Sequence, residues 1–338
     1  LHGTSIVSVP PALAKAGFTK VQLVEAQSAP DGNFPTVASP NPEESAALAM
    51  AVAQAEATNA DLVIGCDPDT DRVGIAVNDG TGKMQLLNGN DTAALLVHYI
   101  LEAYKRNGTL PANGFTAATV VTTDLIAEIS AAYEVPCYRC LTGFKWIADI
   151  IKNKPEEQFL VGGEESYGYL IGDAVRDKDA VASAVMIAEM AANAKAQGRT
   201  VLQQLEAIHR EFGQYQERLI SITKKGRSGA QEIADMMTAL RNDPPKNLAG
   251  SPVIIAIDHG TATQTDLRTG ATHSTELPAS NVLQFITEAG DKVSARPSGT
   301  EPKIKFYFSV RTTTGGSHAA TKAELERKID TFIEELNL

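Results

Sequence analysis

The stretch "GCDPDTDRVG" (65–74) sets three aspartates at alternate positions, Asp67, Asp69 and Asp71, with Arg72 directly behind them. Carboxylates that close repel one another unless positive charge sits between them. The apolar run "DLVIGC" (61–66) reads as a buried strand that ends at these residues. Its end would hold three hard oxygen donors on one side of a tight loop, which suits Mg²⁺. A calcium loop of the EF-hand kind fails on specifics, because Arg72 stands where that loop needs Gly and Asn78 where it needs Glu. The plain alternative is a solvated acidic turn, and an apolar strand running straight into it argues against that.

Three other clusters carry chemistry. In "VGGEESYGYL" (161–170), Gly162 and Gly163 let the backbone turn, and Glu164 and Glu165 leave a strand end together. Adjacent carboxylates can accept hydrogen bonds from neighbouring sugar hydroxyls, although Gly-Gly followed by acids also occurs in ordinary surface turns. In "ARPSGTEPKIKF" (295–306), Arg296 offers a planar fork of donors, Ser298 and Thr300 hydroxyls, Gly299 accessible backbone N–H groups, and Lys303 and Lys305 charge. That set matches a phosphate dianion. A Pro-Gly turn would explain Pro297 and Gly299 but not the clustered donors. "TGFKWIADI" (142–150) places Lys145 beside the only tryptophan. Such a lysine could bind phosphate or move a proton, or merely snorkel along the surface. A metal loop, a hydroxyl-reading loop and a phosphate loop on successive parts of one chain point to a sugar phosphate.

The elements that must position them alternate between β-branched runs and amphipathic helices. Strands are expected at 21–26, 61–66, 72–77, 118–123 and 158–163, with a turn at 78–82. A helix is expected after Asn41, with Asn41 as cap, Pro42 at the first turn and Glu44 closing a capping box. Further helices are expected from Asp91 to Asn107-Gly108 and over about 177–197 and 200–212. Beyond 213 the pattern changes to strands at 216–223, 253–258 and 303–310, a helix over about 228–241 and a closing amphipathic helix over 320–336.

With 338 residues, 43 % of them hydrophobic, the chain can build two or three cored domains. A net charge of −11 argues against nucleic acid or an anionic membrane as partner, while a local nest of donors can still take a small anion. No apolar run approaches the ~20 residues of a membrane span. Cys66, Cys137 and Cys140 form no disulfide framework, which places the protein in a reducing cytoplasm. The C-x-x-C of "CYRC" (137–140) lacks the second pair or histidines that zinc would need.

On these motifs the sequence resembles the α-D-phosphohexomutase superfamily, the phosphoglucomutases and phosphomannomutases. "DPDTDR" is similar to that family's metal loop, "GEESYG" to its sugar-binding loop and "RPSGTEPK" to its phosphate-binding loop, in the family's order. "LTGFKW" resembles a segment that lends a lysine to the active site. The likeness runs from Leu1 to the C-terminus, and "GEESYG" is nearer the phosphoglucomutase form than the phosphomannomutase form, which usually has a His there.

The resemblance implies successive mixed α/β domains followed by an α+β C-terminal domain. Residues 1–88 would be part of the family's second domain, 89–212 its third and 213–338 its fourth. It implies transfer of a phosphoryl group between C1 and C6 of a hexose phosphate through a phosphoserine and a bisphosphorylated intermediate. Mg²⁺ on Asp67, Asp69 and Asp71 would be the metal, and glucose 1,6-bisphosphate or a cognate bisphosphate the activator. Arg72 and Lys145 are implied as catalytic, and Glu164, Glu165, Ser166, Arg296, Ser298, Gly299, Thr300 and Lys305 as substrate-binding. A pentose phosphate is a further substrate that the family accommodates.

The family's phosphoserine lies in a loop resembling T-A-S-H-N-P on a first domain that has no counterpart here. Because the chain opens at "LHGTS" without an initiator Met, we expect a fragment, inactive alone. "VASPNPEE" (37–44) superficially resembles the serine loop, but Pro40 replaces its His, and 41–44 reads as a helix start. Two rival classes share part of the pattern. A Mg²⁺-dependent phosphatase of the haloacid dehalogenase type would use Asp67 and Asp69, yet Asp71 stands where it has Thr or Val and it has no "RPSGTE" loop. A non-catalytic sugar-phosphate-binding module would bind without turnover.

Overall fold

The computed structural model describes residues 1–224, 227–299, 301–313 and 317–338, in two compact units, Leu1–Glu211 and Phe212–Leu338. In the first unit the chain runs through α1 (Ser5–Lys15), α2 (Glu25–Ser28) and α3 (Ser45–Thr58), then β1 (Leu62–Cys66), β2 (Val73–Asn78) and β3 (Met84–Leu87). These three strands form an antiparallel sheet in the order β1-β2-β3. Cys66 pairs with Val73, so residues 67–72 are the loop of a hairpin. α4 (Gly89–Arg106) leads to β4 (Gly114–Thr119), α5 (Leu125–Ala132), β5 (Cys137–Cys140), α6 (Phe144–Asn153), β6 (Gln158–Gly163) and β7 (Tyr169–Ile171). Their sheet has the order β5-β4-β6-β7, with β4 parallel to both neighbours and β7 antiparallel to β6. α7 (Ala180–Ala196) and α8 (Val201–Phe212) follow. Phe115, Cys140, Phe144, Ile147, Phe159 and Leu170 fill the space between this sheet and α6.

The second unit contains β8 (Gln214–Thr223), α9 (Arg227–Asn242), β9 (Asn247–Leu248), β10 (Ser251–Asp258), β11 (Thr263–Asp266), β12 (Thr272–Ser274), β13 (Leu283–Thr287), β14 (Lys292–Pro297), β15 (Lys303–Thr312) and α10 (His318–Glu335). Its antiparallel sheet runs β12-β11-β10-β13-β14-β15-β8, with β9 beside β10. Apolar residues of α9 (Ile233, Met237) and α10 (Leu325, Ile329, Phe332) share one core with Phe285, Phe306, Phe308 and Val310 of the sheet. The chain is thus mixed α/β followed by a sheet-rich α+β unit. No helix among the described residues is long and apolar enough to cross a membrane.

Four local expectations are corrected. Residues 21–24 form no strand; Val21 and Leu23 are exposed, and α2 begins at Glu25. Strand propensity without a neighbouring edge to pair with does not make a strand. Asn41 does not cap a helix. Its Oδ1 accepts the Glu43 N–H at 3.1 Å and its carbonyl accepts the Glu44 N–H at 3.0 Å, so a side-chain turn delays α3 to Ser45. The strand expected at 118–123 ends at Thr119, where the Thr119 and Thr122 hydroxyls meet at 2.8 Å and bend the chain. α4 starts before Asp91, because Asn88 caps it by accepting the Asp91 N–H at 2.8 Å. One helix was not anticipated: α1 continues through Pro10 and Pro11. The fixed φ of proline is compatible with a helix, although inside one it forfeits a hydrogen bond and crowds the carbonyl four residues back.

Phe306 is 1 % exposed at the centre of the second unit's core. Phe306→Ala should lower the stability of that unit by about 3–5 kcal/mol, read from denaturant unfolding.

Candidate active site

The hairpin loop between β1 and β2 gathers the aspartates. Asp67, Asp69 and Asp71 each offer a carboxylate oxygen within 4.8 Å of the others. Asp67 is buried, and its Oδ1 accepts the N–H groups of Asp71 at 3.1 Å and Arg72 at 3.0 Å, which folds the loop over it. Thr70 sits at φ 64°, an unfavourable region for a β-branched residue. It is held there by its hydroxyl at 2.7 Å from that of Thr4 and by its carbonyl, which accepts the Ala180 N–H at 3.3 Å. The strained conformation is thus fastened from both sides.

Positive charge surrounds the carboxylates without filling the space between them. Lys178 Nζ lies 2.5 Å from Asp71 Oδ2. Arg72 Nε stays 3.9 Å from Asp67 Oδ2 and 3.8 Å from Asp71 Oδ1, too far for hydrogen bonds. Asp71 Oδ1 is buried with no hydrogen-bond partner. A buried carboxylate oxygen left in that state is costly, and a hard divalent cation would satisfy it. Burial above all, and then the neighbouring Asp71 and Asp69 carboxylates, push the Asp67 carboxyl up to about 7, against the pull of the Arg72 N–H.

The second acidic loop lies beside the first, because the Val73 N–H donates to the Tyr167 carbonyl at 3.0 Å. Glu164 is buried and its Oε1 accepts the Gly143 N–H at 2.8 Å, tying this loop to the segment that carries Lys145. Glu165 Oε2 accepts from the Thr122 hydroxyl at 3.1 Å and from the Thr119 hydroxyl at 3.4 Å. Ser166 is half-buried between the two glutamates and Tyr167. Lys145 is exposed at the first turn of α6, with Nζ 5.1 Å from the Trp146 ring centre.

Close backbone approaches hold these loops together. A Cβ on Gly89 would lie 1.9 Å from the Glu165 carbonyl oxygen, and one on Gly3 would lie 2.2 Å from the Pro68 carbonyl oxygen. Sequence reasoning missed Gly3, Thr4 and Lys178. The only signal for the last was a lysine flanked by acids in "RDKDA" just before a helix. The C-x-x-C cysteines are free and sit on β5, three residues apart and so on opposite faces.

In the second unit Arg296 and Lys305 face each other across the β14–β15 ladder, both half-buried. Ser298 N–H donates to the Lys303 carbonyl at 2.7 Å, and Ser298 Oγ accepts the Glu301 N–H at 3.3 Å, which closes a tight hairpin. Gly299 is exposed, and a Cβ there would meet nothing within 4 Å, so sterics do not demand glycine. Thr300 lies outside the described residues.

Residues 1–81 match the family described as Phosphoglucomutase/phosphomannomutase, alpha/beta/alpha domain II, and residues 88–212 match its alpha/beta/alpha domain III. The chain is 39 % identical over 311 residues to the Phosphoglucomutase of Staphylococcus epidermidis, covering 92 % of this chain and 56 % of that protein. It is also 39 % identical over 313 residues to the "Probable phosphomannomutase" of Haemophilus influenzae, covering 92 % of this chain and 59 % of that protein. It thus spans little more than half the length of these curated relatives. Among solved structures, parafusin from Paramecium in its open form superposes with a TM-score of 0.66 at 16 % identity, over 97 % of this chain and 55 % of that one. A Phosphoglucomutase/phosphomannomutase family protein from Burkholderia thailandensis gives 0.63 at 17 % identity, over 99 % and 59 %. Likeness at this identity speaks to the fold alone.

The Asp67 carboxyl gives a signed pH dependence. Folded, it keeps its proton up to about 7, whereas an unfolded aspartate loses it near ~4. Between those values the folded chain binds more protons, so its metal-free stability falls as pH rises through the window. Thermal melts should therefore show the unmodified chain losing stability relative to Asp67→Asn between pH 5 and pH 8, and Mg²⁺ should raise the melting temperature more at pH 8 than at pH 5. Separately, Gly3→Ala should destabilise the first unit by about 1–3 kcal/mol, because the Pro68 backbone occupies the space the methyl would need.

Proposed function

The chain belongs to the phosphoglucomutase/phosphomannomutase family, and on that premise we propose that it carries the metal-, sugar- and phosphate-binding parts of a hexose phosphate mutase. The observation that best supports this is the junction of the two acidic loops, where the Val73 N–H meets the Tyr167 carbonyl at 3.0 Å. It sets a carboxylate triad suited to a divalent cation beside a glutamate pair suited to sugar hydroxyls.

Asp67, Asp69 and Asp71 would hold one Mg²⁺, since all three donors are hard oxygens and Asp71 Oδ1 is buried without a hydrogen bond. Bound there, the ion would withdraw charge from a transferring phosphoryl group. Arg72 and Lys178 add fixed positive charge at the same place, which favours a dianion's approach. Glu164, Glu165 and Ser166 bind the sugar. The Gly143 N–H and the Thr119 and Thr122 hydroxyls preset the two carboxylates, so little rotamer freedom is lost on binding. The 3- and 4-hydroxyls of a hexose survive a half-turn of the ring, so one loop serves both orientations of a sugar phosphate. Arg296, Ser298, Thr300, Gly299 and Lys305 supply donors for a phosphate, and Lys145 assists substrate binding or proton transfer.

The phosphoryl donor in this reading is a serine outside these residues, and glucose 1,6-bisphosphate or a cognate bisphosphate is the activator. Equal 39 % identity to a glucose-named and a mannose-named relative favours neither sugar. The two sugars differ at C2, which the glutamate pair need not contact. The three free cysteines accord with a cytoplasmic enzyme.

A coupled assay converting glucose 1-phosphate to glucose 6-phosphate, with Mg²⁺ and trace glucose 1,6-bisphosphate, tests the proposal. The chain should be silent alone and active when extended upstream in its own reading frame. In the extended protein Asp69→Ala should lower kcat by about 10²-fold or more. Turnover by the 338 residues alone would place the nucleophile among them, with Ser39 the first residue to replace. Silence in both forms, with or without mannose 1-phosphate, would overturn the mutase reading.

A further inference from the structure

The turn at 41–44 has no role in the site described so far, yet it reaches it. Asn41 shapes the turn by accepting the Glu43 and Glu44 N–H groups with its side chain and carbonyl. The turn is pressed onto β2: a Cβ on Gly74 would lie 2.7 Å from the Pro42 carbonyl oxygen. So placed, Glu43 Oε1 accepts a hydrogen bond from Arg72 Nη1 at 3.1 Å. The same guanidinium stands 3.8–3.9 Å from Asp71 Oδ1 and Asp67 Oδ2, short of hydrogen bonding to either.

Arginine and two nearby carboxylates would ordinarily collapse into a bidentate pair at under about 3 Å. Such a pair would neutralise two of the three aspartates and stand where a cation must sit. Lys178 repels the guanidinium but does not occupy the place it would take, because its ammonium engages Asp71 Oδ2 and leaves the buried Oδ1 without a hydrogen bond. The one described contact that pulls the guanidinium the other way is Glu43.

We propose that Glu43 is a positioning residue, which tethers Arg72 away from Asp67 and Asp71 and so keeps the carboxylate triad open to a divalent cation. Glu43 touches neither cation nor substrate and acts through Arg72. This inference rests on the metal reading above and adds to it a reason for the open geometry.

Calorimetric titration of the intact 338-residue chain with Mg²⁺, repeated with Mn²⁺, tests it. Glu43→Ala should weaken binding about tenfold, since the freed guanidinium then competes with the ion. Glu43→Gln removes the charge but keeps an acceptor for Arg72, and should retain most of the affinity. In an Arg72→Ala background, adding Glu43→Ala should change nothing further, with thermal melts confirming that each variant is folded. Equal losses in Glu43→Ala and Glu43→Gln would show that only charge matters and would overturn the tether. A loss that persists without Arg72 would overturn it too. If the unmodified chain binds neither ion, the metal reading itself fails and the tether with it; if it binds and Glu43→Ala binds equally well, the tether alone fails.

Discussion

Three carboxylates whose oxygens lie within 4.8 Å of one another are the constraint to which the surrounding structure answers. Their mutual repulsion must be offset for the β1–β2 hairpin to close at all. The loop's own N–H groups stabilise Asp67, Lys178 engages Asp71, and Arg72 contributes charge from a distance set by Glu43. None of these fills the centre. The protein thus holds its negative charge partly compensated, and burial, with the neighbouring carboxylates, raises the Asp67 carboxyl.

That arrangement depends on backbone contacts with no room for side chains. Gly3 lies against Pro68 and Gly89 against the Glu165 carbonyl. Thr4 grips Thr70 in its left-handed conformation, and α7 begins where the Ala180 N–H meets the Thr70 carbonyl. The acidic loop is therefore held by residues far from it in sequence.

The legible part of the fold follows from periodicity. The hairpin strands around the aspartates, β6 into the glutamates, the long helices α4, α8 and α10, and the strands β8, β10 and β15 were legible from their apolar runs and spacing, and α7 from its stop at Gly198. Where reading failed, either a pairing partner was missing or a local feature outweighed the expected pattern. Residues 21–24 have strand propensity but no edge, Asn41 turned its side chain to its own backbone, and Pro10-Pro11 survived inside a helix.

For the site, the chemical types were in the chain: an aspartate triad, a glutamate pair, and an arginine–serine–lysine hairpin, each with donors or acceptors that fit one kind of ligand. Sequence determined these because charge and hydrogen-bonding capacity belong to the residues themselves. Only tertiary structure decided which of them meet. That Lys178 reaches Asp71 across more than a hundred residues, and that Glu164 accepts from Gly143, depends on the packing of separate elements. Whether Arg72 pairs with the aspartates or stands off from them is settled by Glu43, 29 residues away. Distances of that kind come from how backbones pack, and no local pattern encodes them.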